Sequence, residues 1–391
     1  MHRIVVIGGG YGGLRAIEKL VGTPDTEITL IDRNGYHYMQ TEVYGYIAGT
    51  KDIDELAVDL EGWCGGFSPP VRFVRGEVER IDPDGSLVHL DTSAIPYDTL
   101  IIATGARTNF PSFIEGLREH SYGVKRLEKA FGFRHRFQEL VERKLEGDAE
   151  PIHIVVAGAG LSGVEVAAEM AYMLRRYKKT LGRHIREIEI TLVDACDTIL
   201  PGLHPFVIES ARKRLHDLNV VLKTSAFIDR VDETHLHLKT KERLPYTFIV
   251  FTGGIRAISD FVPESFEKNS AGQLAVTPYL TIEGYENVFA IGDVADIRDP
   301  EGNPLPPTAQ IAEKSAEHVA RTVIRRLRGE ETHPFAGKMD GLFIALGGRY
   351  GVAELFGWRF KGIGVYYLKR LVTLVYYLGI SLRVNAGYKI R

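Results

Sequence analysis

At 391 residues the chain is too long for one ordinary core, and its 45% hydrophobic, 25% charged composition is that of a folded protein of two or three domains, not a disordered one. A formal charge of −3 gives no reason to expect a polyanion partner, so nucleic acid is excluded as a general ligand. The two cysteines, Cys64 and Cys196, stand far apart and in no CxxC pair. That argues against a disulfide scaffold, a metal site and dithiol chemistry, and points to a reducing compartment.

Met1 leads directly into a strand-like segment without the basic, apolar and small-residue succession of a secretory signal, so an intracellular start is expected. Short apolar runs at 4–7, 28–31, 100–103, 152–157, 188–193, 248–251 and 288–291 show no alternation, which predicts strands buried on both faces. Helical patterns follow the first and fourth runs and give two βαβ units, at 3–32 and 152–194. Joints are expected at Phe110-Pro111, at 146–151 and at 299–307. The fold class is therefore α/β with two Rossmann-like dinucleotide-binding domains.

Each unit carries a glycine fingerprint between strand and helix. In the first, Gly8, Gly10 and Gly13 satisfy GxGxxG and Asp32 closes the next strand; in the second, Gly158, Gly160 and Gly163 do so and Asp194 closes the strand. The first glycine permits the tight turn, the second admits a pyrophosphate against the backbone, and the third lets helix and strand pack closely. The anion then rests on the helix N-terminus, while the acid accepts a bond from a ribose hydroxyl and disfavours a 2′-phosphate. One such motif is a weak signal; two in register with their acids are far stronger.

The segment Leu100 to Gly105, with Thr104 and Gly105, resembles the ATG turn where the chain leaves the FAD domain of flavoproteins with two dinucleotide-binding domains. Ala290 to Ala295 resembles the GD motif where it returns, and the resemblance gives Asp293 the ribityl chain of FAD. Phe251 to Gly254 resembles the strand end beside the nicotinamide, at Gly253. These likenesses imply an FAD domain at 1–112 and 271–330, interrupted by an NAD(P)H domain at 113–270. FAD is the implied cofactor, and Asp194 favours NADH as the substrate.

Within that superfamily, GAGLSGVE at 158–165 resembles the GxGxxGVE of type II NADH dehydrogenases, single-chain enzymes that reduce membrane quinone. The resemblance places Glu165 near the nicotinamide. Asp32 to His37 resembles the family's DRNxxH stretch, which runs Arg33 from the ribose toward the flavin, although Thr41 and Glu42 stand where the family shows proline and leucine. Pro307 to Lys314 resembles its AQxAxQ motif, with Gln310 matching and Lys314 replacing the second glutamine. Lysine there would meet a quinone oxygen as a charge.

The last segment, 357–391, holds seven basic residues and no acid: Arg359, Lys361, Lys369, Arg370, Arg383, Lys389 and Arg391. On a helical wheel Tyr366, Lys369, Arg370, Thr373, Tyr376 and Tyr377 share one face, and Leu368, Leu371, Val372, Val375 and Leu378 the other. The pattern predicts an amphipathic helix lying in the headgroup region, so 331–391 is read as a peripheral membrane-anchoring region on the cytoplasmic face. The family's C-terminal end is similar.

The resemblance thus implies hydride transfer from NADH to FAD and electron delivery to a membrane quinone, without proton pumping. A homodimer is left open. Sulfide:quinone oxidoreductases share the fold but need cysteines near the flavin, and soluble ferredoxin or rubredoxin reductases lack the tail. A non-enzymatic reading, an NADH-sensing flavoprotein of the apoptosis-inducing-factor type, separates from these by turnover.

Overall fold

The computed structural model describes residues 1–148, 150–181 and 188–390. The chain opens with strand β1 (His2–Ile7), helix α1 (Tyr11–Leu20) and strand β2 (Thr26–Asp32). Helices α2 (Val43–Ile47) and α3 (Leu60–Gly65) follow, then strands β3 (Arg72–Arg75) and β4 (Thr99–Ile102). The next stretch runs β5 (Ser121–Gly123), α4 (Leu127–Leu145), β6 (Ile152–Ala157), α5 (Leu161–Leu181), β7 (Ile188–Val193), β8 (Val220–Lys223) and β9 (Phe248–Phe251). The chain then returns through β10 (Thr281–Ile282), β11 (Tyr285–Ala290) and α6 (Ala309–Leu327).

Two main sheets result, one six-stranded in the order β10-β11-β4-β1-β2-β3 and one five-stranded in the order β5-β9-β6-β7-β8. In each, the strand before the glycine turn is central and pairs in parallel with two neighbours. Ile7 lies opposite Ile31 and Ile102, and Ala157 opposite Val193 and Phe251. In the second sheet Ile154 and Val156 pack with the helices on one face, while Val155 and Ala157 pack with Val231, Leu236 and Leu244 of an antiparallel meander on the other. With both faces covered, Ile4, Val5, Val6 and Ile154 are buried without alternation. Both central strands end at the same edge of their sheet, where a ligand crevice forms in open α/β sheets.

Each unit also carries a three-stranded antiparallel meander, at 78–96 and 228–245, which the apolar-run reading did not foresee. A third small sheet, β12 (Gly341–Ala345), β13 (Gly351–Leu355) and β14 (Trp358–Gly362), replaces what reads in sequence only as a glycine-rich stretch. Its turn glycine Gly347 is left-handed and lies against α5, so closely that a Cβ there would meet the Ala168 carbonyl oxygen at 2.5 Å.

The final helix, α7 (Ile363–Ile390), is seated on the body. A side chain at Gly66 of the segment after α3 would strike the Arg383 carbonyl oxygen, so only glycine lets the two backbones come this close. The Arg383 guanidinium lies 4.1 Å from the centre of the Phe67 ring. Ile380 and Val365 are buried against the body, whereas Leu371, Val375 and Leu382 are exposed. By length and composition 363–386 is apolar enough to cross a membrane, with a mean hydropathy of 1.2.

Candidate functional site

The two glycine turns have the same geometry. Gly8 and Gly158 are both left-handed, at φ +107° and +110°, which only glycine adopts without strain. A Cβ on Gly158 would come within 2.6 Å of the Gly253 amide nitrogen, and one on Gly8 would strike the Ala103 carbonyl. Gly13 and Gly163 each press on the carbonyl of the first glycine of their own turn. Gly10 and Gly160 instead face open space, with nothing within 4 Å of a built Cβ. The N-cap of α1 is Gly10, which brings no side chain, and its first turn holds no acid, so its amide groups stay available to an anion.

The closing acids clamp these turns. Asp32 accepts the Gly9 and Asn34 amide N–H groups, both at 2.7 Å, and burial pushes its carboxyl up. Asp194 accepts the Ala159 amide, and the Cys196 amide at 2.7 Å. Each carboxylate has further lone pairs for a sugar hydroxyl.

A cleft of about 630 Å³ runs from the first turn across the edge of both sheets. Of the residues singled out from sequence, Gly8, Gly10, Asp32, Arg33, Thr104, Gly105, Asp293, Glu165 and Gln310 line it. Thr104 donates its hydroxyl to the Ile258 carbonyl at 2.7 Å. Asp293 is bridged at 3.2 Å by Lys125, a cleft residue that no motif announces. Arg33 pairs with Glu77 at 3.3 Å. Gly13, Gly158, Gly160, Gly163, Asp194 and Gly253 lie outside the lining; the second unit reaches the cleft through Leu161, Ser162 and Glu165 of α5. A dinucleotide laid along Gly10 fits this arrangement, because the open Gly10 surface and the uncapped start of α1 are where a pyrophosphate needs them.

Helix α6 corrects one sequence expectation. Thr308 caps it by accepting the Ile311 amide at 3.3 Å. Gln310 lines the cleft, and its Oε1 accepts the Asp340 amide at 2.9 Å. Lys314 does not line the cleft: it donates to the Lys338 carbonyl at 2.6 Å and pairs with Asp340 at 2.7 Å. One turn apart, the two side chains share Asp340, and the charge expected to meet a quinone is spent on the approach to β12. Glu313 lines the cleft in its stead. Burial pushes that carboxyl up to about 7, against the opposing pull of Arg15.

The tail also reaches the cleft. Lys369, Thr373 and Tyr376 of its polar face form a wall of it, while Arg370 of the same face is exposed. Lys369 reaches across to Glu165, which also accepts the Ala345 amide at 2.9 Å, and its ammonium lies 4.5 Å from the centre of the Tyr44 ring. Burial raises the Glu165 carboxyl, while Lys369 pulls it down. Thr373 donates to Glu42 at 2.9 Å, and Lys51 bridges the same carboxylate at 2.6 Å. Tyr376 lies 3.2 Å from His37 Nε2 and its ring 5.2 Å from that of Tyr11, whose hydroxyl meets Thr41 at 2.8 Å. His37 Nδ1 lies 2.9 Å from the Gly9 carbonyl, and burial lowers its pKa to about 4, so it is neutral at pH 7. Of the departures from the family's proline and leucine, Glu42 thus takes a hydrogen bond from the tail, and Thr41 holds Tyr11, whose ring meets that of Tyr376.

The basic residues are mostly engaged by protein. Arg359 pairs with Glu354 at 3.3 Å, Lys361 lies over Phe206 and Arg370 donates to the Tyr366 hydroxyl at 2.9 Å. Arg391 and the side chain of Lys389 lie outside the described residues. The outward surface is apolar, and Phe356, Trp358 and Phe360 of the β13–β14 hairpin extend it, with Phe356 81% and Trp358 72% exposed.

A family model described as pyridine nucleotide-disulphide oxidoreductase matches residues 2–316. The chain is 31% identical over 381 residues, 95% of its length and 94% of the relative's, to a type II NADH:quinone oxidoreductase of Staphylococcus aureus (strain NCTC 8325 / PS 47). Among solved structures, NDH2 from Plasmodium falciparum in complex with NADH superposes with a TM-score of 0.86 at 19% identity, covering 100% of this chain and 97% of that one. The sulfide:quinone oxidoreductase of Aquifex aeolicus gives a TM-score of 0.81 at 20% identity, over 99% of this chain and 92% of that one. At such identities these two establish the fold.

Removing Lys369 leaves Glu165 buried without its counter-charge, and its carboxyl then rises further. A native state that holds the proton more tightly than the unfolded chain loses stability as pH increases from the unfolded value through the folded one. Lys369→Met therefore costs little near pH 5 and about 3 kcal/mol near pH 8. Thermal unfolding across that range checks this, with Glu165→Gln/Lys369→Met regaining most of the loss.

Proposed function

The chain belongs to the pyridine nucleotide-disulphide oxidoreductases and, among them, to the type II NADH:quinone oxidoreductases, and from that premise we propose how its residues divide the work. It is an FAD enzyme that oxidises NADH and reduces quinone. The observation that carries our reading is that the starts of α1 and α5 open on one cleft, which the terminal helix closes.

When bound, FAD accepts a hydride from NADH and passes the electrons on to quinone. Residues 1–112 and 271–330 hold it: Gly8, Gly10, Gly13 and the α1 amides take the pyrophosphate, Asp32 a ribose hydroxyl. Arg33, Thr104, Gly105 and Asp293 follow the cofactor along the cleft, with Lys125 fixing Asp293. Residues 113–270 receive NADH on Gly158, Gly160 and Gly163. Asp194 takes its ribose and repels a 2′-phosphate, and Gly253 leaves room beside the nicotinamide. Glu165, held by Lys369, forms the wall where this unit meets the cleft. Gln310 faces the acceptor, and Lys314 acts on it through Asp340, as a positioning residue.

Type II NADH dehydrogenases are membrane-associated, and we read the exposed apolar side of α7 with the β13–β14 hairpin as the surface that meets the bilayer from the cytoplasmic face, with electron transfer uncoupled from proton pumping. Sulfide oxidation finds no support in the cysteines. Cys64 is buried away from the cleft with its thiol pushed up to about 12, and Cys196 is exposed.

Anaerobic stopped-flow tests the reaction. NADH is expected to bleach the flavin at least about tenfold faster than NADPH, a ratio worth about 1.4 kcal/mol, and ubiquinone-1 to restore its colour; sulfide is expected to do neither. A reduced flavin that quinone leaves bleached would refute the assignment. For the membrane surface, Leu371→Glu/Val375→Glu/Leu382→Glu is expected to leave vesicles containing anionic lipid in cosedimentation while FAD stays bound. Vesicle binding at the unaltered level would place the anchor elsewhere.

A further inference from the structure

Reduction of a quinone by NADH consumes one proton besides the hydride: NADH, H⁺ and quinone become NAD⁺ and quinol. The C4–H bond of the nicotinamide breaks, two electrons reach the quinone and two O–H bonds form, so one proton must come from solution through the protein. We propose that Glu313 delivers that proton to the quinone; this rests on the quinone-reducing reading above.

Besides Asp32, Glu77, Glu128 and Asp293, the carboxylates lining the cleft are Glu42, Glu165 and Glu313. Glu42 is held by Lys51 and Thr373, and Glu165 by Lys369 and the Ala345 amide, so neither carries a proton without giving up a buried ion pair. Among the described residues Glu313 has neither a hydrogen bond nor an ion pair. It sits on α6 three residues beyond Gln310, hence on the same helix face, where α6 lies against α1 at Gly12 and Ala312.

The charged and titratable groups facing it are Arg15, Glu18 and Tyr11 from α1, Glu317 from its own helix and Tyr376 from the tail. Arg15 is claimed by others: its Nε donates to Glu317 at 2.7 Å and its Nη1 to Glu18 at 3.1 Å, while Lys19 lies 3.9 Å from Glu317. That leaves Arg15 only a partial counter-charge for Glu313, and burial holds its carboxyl near 7, the range in which a group both gives and retakes a proton at neutral pH. Arg15, Glu18 and Glu317 keep 28–34% of their side chains in solvent, which supplies the return route from bulk water.

Glu313→Gln keeps the shape and hydrogen-bonding reach but holds no exchangeable acid. In single-turnover reoxidation of the NADH-reduced holoenzyme by ubiquinone-1, the variant is expected to be slowed about 100-fold. It should also lose the pH dependence centred near 7 and the solvent deuterium effect on that step. Glu313→Asp should regain part of the rate with a displaced pH profile. Reduction by NADH in the same samples is the internal control.

A Glu313→Gln enzyme that reoxidises at the unaltered rate overturns the proposal. So does a slowed one that keeps the original pH profile and deuterium effect, since that marks a merely structural role. Failure of quinone to reoxidise the unaltered enzyme would sink the underlying assignment instead, and the two failures are therefore distinct.

Discussion

The contact between Lys369 and Glu165 joins the last described helix to α5, the helix that follows the second glycine turn. A buried ion pair contributes little net stability, since two desolvated charges regain in attraction roughly what they lose in hydration. What it does supply is position. With the lysine anchored on Glu165, the turns that follow along α7 bring Thr373 to Glu42 and Tyr376 to His37, and the helix becomes a wall of the cleft. The outward face is then apolar by necessity, because the polar side chains have been used inside.

In the proposed function this arrangement gives the two ends of the reaction different walls of one cavity. In the proposed assignment the glycine turns and the helix N-termini behind them take the phosphates, which are water-soluble and arrive from the aqueous side. The tail and the β13–β14 hairpin expose apolar surface around the other side, where a hydrophobic acceptor partitions. Residues at the boundary are carboxylates whose fates differ by partner alone: Glu42 and Glu165 are locked in ion pairs, Glu313 is not. One amino-acid type thus stands in two different electrostatic environments.

Much of the fold and of the glycine-turn geometry can be read from spacing. Unalternated apolar runs mark strands buried on both faces, and a glycine that must be left-handed or must touch another backbone admits no alternative residue, so Gly8, Gly13, Gly158 and Gly163 signal their own geometry. The meanders at 78–96 and 228–245 escape that reading because short antiparallel strands with one solvated face carry few apolar residues. The sheet at β12–β14 escapes it because its glycines resemble a loop. Lys314 misleads because a motif fixes only the helix face. Which partner a side chain meets depends on Asp340, brought in from another segment.

The amphipathic pattern of the tail is a third case, and it shows where the division falls. The sequence by itself determined the two dinucleotide units, their acids Asp32 and Asp194, and the existence of a terminal helix with one polar and one apolar face, since all of these follow from local periodicity and backbone conformation. Only the tertiary structure decided which of those faces looks inward, that Lys369 finds Glu165 and that Glu313 finds no partner among the described residues. Those outcomes depend on burial and on charges brought together across more than 200 residues of chain, and no local pattern encodes the neighbour that compensates or abandons a buried charge.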